Sequence, residues 1–395
     1  MNQDIFATRV QSLKASAIRE IFKILEAKDV ISFAAGAPSP DVFPGKELAA
    51  ISSELLADNY SGALQYSVTE GYTPLRDAVR ARLAKQGSVS ERDNVIIVTG
   101  GQQGIDLAAK VLVEDGDGVV VENPSFIGGL NSFRSYNAKL FDVRLKDDGM
   151  DLDQLEQILK NNKIKLIYTI PTFQNPSGIT ASLENRKKLI ALANQYDAYI
   201  LEDNPYGELR FAGENVPTIK SLDTEGRVIY CGSFSKTLSP GLRIGFVSAR
   251  EDIIDRIVVV KQVNDVHTPI LNQMCAYRYM TQCDYDGHIK KCSEIFGRKC
   301  AVMLEEIDRC FPKSVTHTNP EGGLFILCTL PEGSDSKAIL QKAIAKGVAF
   351  VPGNTFLVDM ESPSNILRLN YSASTEEKSR EGIRMLGEVL HECLD

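Results

Sequence analysis

The sequence contains no tryptophan, few histidines and no long apolar run. Its 395 residues include four histidines, none of them in a recognisable catalytic setting, so histidine-based acid–base chemistry is disfavoured. No stretch approaches the ~18 consecutive apolar residues that a membrane-spanning helix needs. The first residues, MNQDIFATRV, carry Asp4 and Arg9 in place of an apolar leader. We therefore expect a soluble cytoplasmic protein.

The eight cysteines form no CxxC pair, which suits a reduced cytosolic chain better than a disulfide scaffold. One group, Cys283, His288, Cys292 and Cys300, invites comparison with a zinc site. Its members are separated by four, three and seven residues, which matches none of the usual structural zinc spacings. We predict no metal site.

The chain also lacks a basic excess. Its formal net charge is -8, without long runs of like charge, so no basic face is available to follow a phosphate backbone, and we do not expect nucleic acid as a partner. The composition is that of an ordinary globular protein, with 43% hydrophobic and 24% charged residues. The length suits one large domain or two modest ones.

Short β-branched runs alternate with helical patterns through the middle of the chain. Runs that are apolar at consecutive positions and are separated by helices are typical of a parallel sheet covered on both faces. We therefore predict a doubly wound α/β domain over residues 46–285. Its strands are expected at NVIIVT (94–99), DGVVVE (117–122), KLIYTI (165–170), AYILED (198–203) and RVIYCG (227–232).

The pattern changes after residue 285. A long helical stretch near 285–310 precedes three strand-like runs, in GGLFILCTL, GVAFVPG and NILRLNYS, and a last helix from Thr375. These elements predict a smaller α+β domain over residues 286–395, against which residues 1–45 should pack. Within that N-terminal part, SAIREIFKIL (16–25) has the spacing of an amphipathic helix, and Arg19 beside its apolar stripe is explained equally well as a solvated charge.

Polar residues follow the predicted strands, at the edge where open α/β sheets bind ligands. GGQQG (100–104) follows the first run and opens a helix, where backbone N–H groups form an anion site that glycine lets a phosphate approach. Taken singly, each of the others has a structural explanation as a turn former, a cap or a surface amine. In chain order they are Asn175, Asp203, Tyr206, Lys236 and Arg243.

Together these residues supply an anion cradle, a carboxylate, a phenol, an amide and a nucleophilic amine. Pyridoxal phosphate needs a lysine for its Schiff base, an acidic partner for its ring nitrogen, and donors for its phosphate and phenolic oxygen. It needs no metal. The sequence therefore predicts a pyridoxal-phosphate site.

The segments NPSG (175–178), DNPY (203–206), SFSKTLSPGLRIGF (233–246) and LRLNYS (367–372) resemble the signatures of the class I/II, fold type I pyridoxal-phosphate aminotransferases. The resemblance begins at SFAAGAPSPDVFP (32–44) and is closest to the subgroup of 2-aminoadipate, kynurenine and aromatic aminotransferases. It implies a large domain with a mostly parallel seven-stranded sheet between helices, a smaller α+β domain, and a homodimer with shared active sites.

The resemblance also implies roles for single residues. Lys236 is the Schiff-base lysine and the base that moves the Cα proton, and Asp203 pairs with the pyridinium nitrogen. Tyr206 and Asn175 hydrogen-bond the phenolic oxygen. Because the pyridinium and Arg243 are cationic, we expect them to lower the pKa of Lys236.

Further contacts with the cofactor and the substrate follow from the resemblance. Phe126 stacks on the cofactor ring, and Tyr66 reaches the phosphate of the neighbouring subunit's cofactor. The substrate is contacted by Arg368, Asn175, Arg19 and Gly36, with Arg368 holding the α-carboxylate through a bidentate pair. The phosphate ligands are Gly101, Gln102, Ser233, Ser235 and Arg243.

Two features depart from the family pattern. The phosphate loop TGGQQG has glycine where many relatives carry serine, so we expect one hydroxyl contact fewer. The absence of tryptophan leaves ring stacking to Phe126 or a tyrosine.

We predict an aminotransferase that moves an amino group from an α-amino acid to a 2-oxo acid such as 2-oxoglutarate. A carbon–sulfur β-lyase or a decarboxylase shares most of the cofactor contacts, so the sequence separates these reactions weakly. A cofactor-binding transcriptional regulator is a third alternative. It is disfavoured because the residues before SFAAGAPSP are too few for a DNA-binding module.

Overall fold

The computed structural model of the protein describes residues 30–394, together with residues 5, 7–11 and 13. A four-residue helix, α1 (Thr8–Gln11), and a short strand, β1 (Ile31–Ser32), precede the main body. The helix predicted over residues 16–25, with Arg19 in it, lies outside the described residues.

One large sheet forms the centre of the described chain. Its strands are β2 (Asp93–Val98), β3 (Gly118–Asn123), β4 (Lys139–Lys146), β5 (Gly149–Met150), β6 (Ile164–Thr169), β7 (Tyr199–Asn204), β8 (Val228–Ser233) and β9 (Gly245–Arg250). Their spatial order is β2–β9–β8–β7–β6–β3–β4–β5. The strands from β8 to β4 in this order are parallel, β9 lies antiparallel between β2 and β8, and β5 is antiparallel at the far edge.

The predicted α/β architecture with a mostly parallel sheet is confirmed. The five β-branched runs coincide with β2, β3, β6, β7 and β8 to within one residue at each end. β4 and β9 do not follow from such runs, because KLFDVRLK has charged residues among its apolar ones and GFVSAR contains small residues. Within the described ranges the sheet has eight strands, since the two-residue β5 extends the seven that the family implies.

Alternate residues of each strand enter different hydrophobic cores, which is why the strands are apolar at consecutive positions. In β2, Ile96 and Val98 pack in one core, whereas Val95 and Ile97 pack in another. Helices therefore cover both faces. They are α2 (Gly45–Asp58), α3 (Tyr60–Leu64), α4 (Thr73–Lys85), α5 (Gly101–Leu112), α6 (Ile127–Ser135), α7 (Leu152–Asn161), α8 (Leu183–Gln195), α9 (Glu251–Gln262) and α10 (Ile270–Gln282).

The elements predicted after residue 285 are present. They are α11 (Tyr285–Cys310), β10 (Thr316–His317), β11 (Phe325–Thr329), α12 (Ser336–Ala345), β12 (Val348–Ala349), β13 (Val351–Pro352), β14 (Ile366–Asn370) and α13 (Glu376–Leu394). An antiparallel sheet has the order β10–β11–β14–β13, and β1 pairs in parallel with β12. The domain boundaries at residues 45 and 285 stay a prediction. Across the described ranges, no helix combines the length and the apolar content that crossing a membrane requires.

A buried ion pair joins the start of β2 to the start of β8. Lys220 Nζ donates to Asp93 Oδ1 at 2.8 Å and to the Val228 carbonyl at 3.0 Å. The Lys220 and Asp93 side chains are only 3% and 2% exposed, and Asp223 lies 3.4 Å from the same amine. Removal of the lysine would leave two buried carboxylates without their cation.

We expect Lys220→Met, which keeps an unbranched side chain one atom shorter and removes the charge, to lower the free energy of unfolding by about 3–5 kcal/mol. Urea unfolding at fixed protein concentration measures the loss. Lys187→Met is the matched control, because Lys187 and its partner Glu184 are 51% and 81% exposed, and it should change the free energy by less than about 1 kcal/mol. Equal losses in the two variants would contradict the prediction.

Candidate active site

Most of the predicted site residues meet at one edge of the large sheet, where the parallel strands β6, β7 and β8 end. Asp203 lies near the end of β7, Ser233 ends β8, and Lys236 follows in the next turn. Asn175 lies in the loop after β6. The carboxyl ends of parallel strands are the usual ligand-binding edge of such a sheet, so the topology brings together groups that are far apart in sequence.

The Lys236 amine contacts the N-terminal segment. Its Nζ donates to the Gly36 carbonyl at 2.7 Å. Burial lowers the pKa of Lys236 to about 8, and the charges of Arg368 and Arg243 act in the same direction. The lowered pKa agrees with the expectation from sequence, but its main causes are burial and Arg368. An amine with this pKa is a better nucleophile at neutral pH than an ordinary lysine.

The Asp203 carboxyl is buried and is held by Tyr168, whose hydroxyl donates to Oδ2 at 2.8 Å. Burial is the main reason that the pKa of Asp203 is raised to about 7; the charge of Glu122 acts in the same direction, and the Tyr168 hydrogen bond and the charge of Lys236 oppose it. A cationic ligand nitrogen at this carboxyl would favour its charged form. Tyr168 was not among the predicted site residues, and its only signal in the sequence is a phenol inside an aliphatic run.

Glu122 is a second buried carboxyl that sequence reasoning missed. It accepts hydrogen bonds from the Thr169 hydroxyl at 2.6 Å and from Gln174 Nε2 at 2.9 Å. Burial raises its pKa to about 7, against the opposing effect of these hydrogen bonds. Gln174 also donates to the Pro124 carbonyl at 2.8 Å. Glu122 therefore holds the loop that carries Asn175 against β3, and Gln174 connects the same loop to the one after β3.

Arg368 in β14 is 1% exposed, and its neighbours fix its guanidinium. Nη1 donates to Asn175 Oδ1 at 3.0 Å, and Nη2 donates to the Ala34 carbonyl at 2.9 Å. Its guanidinium carbon lies 4.2 Å from the ring centroid of Phe325 and 5.2 Å from that of Phe356. Burial lowers the pKa of Arg368 to about 10, so it stays charged at neutral pH. Each Nη carries a second N–H, which suits a carboxylate.

Asn175 lies between Arg368 and Tyr206. It hydrogen-bonds Tyr206, a phenol that is 4% exposed in the loop after β7. Burial raises the pKa of Tyr206, so the phenol is neutral and can donate a hydrogen bond at neutral pH. Asn175 thereby links a phenol beside the large sheet to a guanidinium on the small sheet.

The start of α5 and Arg243 form an anion cradle. Gly100, the residue before α5, has φ +76°, and a Cβ there would lie 2.4 Å from Arg243 Nη2, so only glycine lets the guanidinium approach this backbone. The first amides of α5, including those of Gly101 and Gln102, lack acceptors within the helix. A helix N-terminus beside a guanidinium is a phosphate-binding arrangement.

The other predicted cofactor residues border this cradle. Ser235 N–H donates to the Ser233 hydroxyl at 3.1 Å in the turn before Lys236. The Gln102 side chain donates to the Gly128 carbonyl at 3.0 Å, which holds the start of α6 against the start of α5. Phe126, directly before α6, is half-buried beside them.

Gln102 and Arg243 are exposed at the cradle, and Tyr66 is a further predicted residue that is not buried. It is 81% exposed, and its ring meets that of His267 edge-on at 5.8 Å between centroids. Arg19 lies outside the described residues. Gly36, in contrast, is brought to the site through its hydrogen bond to Lys236.

Of the cysteine and histidine group considered as a zinc site, Cys283 precedes α11 and the other three residues are spread along that helix. Cys292 Sγ lies 3.5 Å from His288 Nε2, and Cys292 and Cys300 are buried free thiols. In the part of the chain that the structure describes, no group of histidine, cysteine, aspartate or glutamate side chains could hold a metal ion.

Comparison with known proteins gives one family. Residues 28–386 match the family model described as "Aminotransferase class I and II". Aromatic-amino-acid aminotransferase 1 of Thermococcus litoralis is 42% identical, over 98% of this chain and 94% of its own. The 2-aminoadipate transaminase of Thermus thermophilus is 36% identical, over 98% of this chain and 96% of its own.

A solved structure gives the same result. Pyrococcus horikoshii kynurenine aminotransferase, crystallised with PMP, kynurenine as substrate and KYA as product, superposes with a TM-score of 0.95. It is 40% identical to this chain, and the match covers 100% of this chain and 98% of that one.

We expect the Lys236 amine of ligand-free protein to titrate near pH 8. Competitive labelling with acetic anhydride, followed by mass spectrometry of the peptide that contains Lys236, measures this midpoint. Arg368→Gln removes a cation that lowers the pKa, so Lys236 should titrate at higher pH in that variant. Arg227→Gln, which changes an arginine paired with Asp197, should leave the midpoint unchanged. A midpoint that Arg368→Gln does not raise would refute this account.

Proposed function

This chain belongs to the class I and II aminotransferases, which work with pyridoxal 5'-phosphate. We propose that its amino donors are 2-aminoadipate, aromatic amino acids or a broad range that includes both. The acceptor is a 2-oxo acid such as 2-oxoglutarate. The observation that carries the proposal is one buried site holding both an amine with a lowered pKa and a guanidinium able to bind a carboxylate.

The residues of the site fit the cofactor. The anion cradle at the start of α5 has glycine at position 100 beside Arg243. The buried Asp203 carboxyl lies near the end of β7, and the Lys236 amine lies in the turn after β8. When bound, pyridoxal phosphate supplies an aldehyde that accepts the amino group and a ring that withdraws electrons from the substrate Cα. The phosphate ligands we propose are the amides of Gly101 and Gln102 with Ser233, Ser235 and Arg243.

Asp203 would keep the ring nitrogen protonated, with Tyr168 holding its carboxylate in place. Tyr206 and Asn175 would donate hydrogen bonds to the phenolic oxygen. Phe126 would cover one face of the ring and exclude water from it.

Lys236 would act twice. Its amine would first hold the cofactor, and after the incoming amino acid displaces it, Nζ would accept the proton from the substrate Cα. Burial and the neighbouring cations support this role, because they lower the pKa of the amine to about 8 and keep a useful fraction of it uncharged at neutral pH.

Arg368 would bind the substrate α-carboxylate through its two Nη atoms. Its contacts with Asn175, Phe325 and Phe356 support this role, because they fix the plane of the guanidinium before substrate arrives. A carboxylate held there is kept out of the reacting position, which favours loss of the Cα proton over decarboxylation. The β-lyase and decarboxylase alternatives are also not favoured by the relatives, whose names record amino-group transfer.

The donor side chain would lie near Gly36 and Arg19. A Cβ at Gly36 would meet nothing within 4 Å, so this position borders open space beside the Lys236 amine. The role of Arg19 rests on the family resemblance alone.

We expect the wild-type holoenzyme to convert its bound cofactor to the aminated form when it is mixed with 2-aminoadipate, kynurenine or an aromatic amino acid. The change in cofactor absorbance should reverse on addition of 2-oxoglutarate. Lys236→Ala should abolish the change, since it removes the base and the attachment point. Release of ammonia and pyruvate from cystathionine without the aminated cofactor would support a β-lyase instead.

We further propose a homodimer whose subunits share active sites, with Tyr66 reaching the phosphate of the partner's cofactor. Exposed apolar side chains cluster along the chain around Tyr66, and an area of this kind is typical of an interface. They are Tyr60 at 65%, Leu64 at 68%, Tyr66 at 81% and Val68 at 55% exposure. The cytoplasmic location stays a prediction.

We expect the Tyr66→Ala and Lys236→Ala homodimers to be weakly active and inactive respectively. Co-expression with two different tags yields a heterodimer in which one site has both an intact Lys236 and an intact Tyr66 from the other chain. That heterodimer should show about half the wild-type activity per dimer. If each active site were instead built from a single chain, the heterodimer would be no more active than the Tyr66→Ala homodimer.

A further inference from the structure

The backbone segment from Phe33 to Ala37, here called the 33–37 segment, crosses the site with each of its carbonyls hydrogen-bonded. Its amino end continues β1, and the Phe33 N–H donates to the Ala349 carbonyl at 2.8 Å. The donors to its carbonyls come from β14, from the residues just after β14, and from Lys236. They are Asn370 N–H for Phe33 at 2.9 Å, Arg368 Nη2 for Ala34 at 2.9 Å, Asn370 Nδ2 for Ala35 at 2.7 Å, Lys236 Nζ for Gly36 at 2.7 Å, and Asn370 Nδ2 with Ser372 Oγ for Ala37, both at 3.4 Å.

Asn370 therefore contacts this segment through both its backbone and its side chain. The residue is fully buried. Its Oδ1 accepts from Ser372 N–H at 2.7 Å, from the Ser372 hydroxyl at 2.9 Å and from Ala373 N–H at 3.1 Å. Because Oδ1 is directed at these donors, Nδ2 is directed at the carbonyls of the 33–37 segment. The orientation of the amide is thus fixed from both ends.

Two of the residues that donate hydrogen bonds to this segment also have a role in the proposed reaction. Lys236 must leave the Gly36 carbonyl when its amine joins the cofactor or takes a proton. Arg368 must bind the substrate carboxylate with its guanidinium while it also keeps its hydrogen bond to the Ala34 carbonyl. Asn370 is uncharged and takes part in no chemical step, so nothing in the proposed reaction requires its hydrogen bonds to break.

We propose that Asn370 is a positioning residue for amino-group transfer, because its side-chain amide keeps the 33–37 segment in place against β14 while Lys236 is engaged elsewhere. This inference rests on the proposed function. Gly36 borders the open space where the donor side chain would lie, so displacement of the segment changes one wall of the substrate site. Loss of the anchor therefore weakens substrate binding and spares the attachment of the cofactor to Lys236.

The test is Asn370→Asp in the holoenzyme. The replacement keeps the shape of the side chain but places an oxygen in the position of Nδ2, where it cannot donate to the Ala35 and Ala37 carbonyls unless it is protonated. We expect KM for the amino donor to rise about tenfold or more, while kcat changes less than about threefold and the cofactor absorbance is retained. Hydrogen exchange in peptides covering residues 33–39 should become faster.

Asn365→Asp is the matched control. Asn365 precedes β14, and its Nδ2 donates to the Leu330 carbonyl at 2.8 Å, away from the 33–37 segment. It should leave KM and the exchange of residues 33–39 at wild-type values. Wild-type KM and exchange in Asn370→Asp, or equal changes in the two variants, would overturn the proposal.

Ser372→Ala provides a milder variant if Asn370→Asp does not fold. It removes one contact to Ala37 and one donor that orients the Asn370 amide. A KM increase of about threefold with faster exchange in residues 33–39 supports the proposal, and wild-type values of both overturn it. If none of the amino donors tested aminates the cofactor of the wild-type enzyme, the proposed function fails. The hydrogen-exchange measurement still tests Asn370 as the anchor of the 33–37 segment in that case.

Discussion

The burial of the Lys236 amine close to the Arg368 guanidinium is the constraint on which the site depends. Two cationic groups out of water need oxygen acceptors and compensating charge. The chain meets this need with the Ala34 and Gly36 carbonyls, the Asn175 amide oxygen and the carboxyl of Asp203. The same burial lowers the pKa of the amine and leaves the guanidinium charged, because their ordinary pKa values differ by about two units.

This constraint explains why the site needs both sheets. The large sheet supplies the carboxyl, the amine and the anion cradle at the ends of parallel strands, and the small sheet supplies Arg368 in the middle of β14. Asn175 and the 33–37 segment cross between them and hydrogen-bond to both sides. The distance between amine and guanidinium is therefore set by neutral polar groups. A site held in this way can bind an amino acid at its carboxylate and act on its Cα.

Sequence reasoning found its candidate residues in short segments at strand ends, and the fold brings these segments to one edge of the sheet. Asp203, Lys236 and Asn175 are polar residues next to apolar runs, so position alone made them candidates. Tyr168 and Glu122 belong to the runs themselves, and only the fold shows that their side chains reach Asp203 and the loop of Asn175. β9 was missed because its small residues give a weak strand signal, and its place between β2 and β8 depends on pairing with both.

The sequence alone determined the α/β architecture, the order of the strand-end residues and the chemistry of the cofactor, because local periodicity and residue type decide these properties. Tertiary structure decided which groups meet. The hydrogen bonds of Asn370 to residues 35 and 37, and the influence of Arg368 on Lys236, join positions more than 100 residues apart. No local pattern encodes such contacts, since they exist only after β14 has packed beside the segment that follows β1.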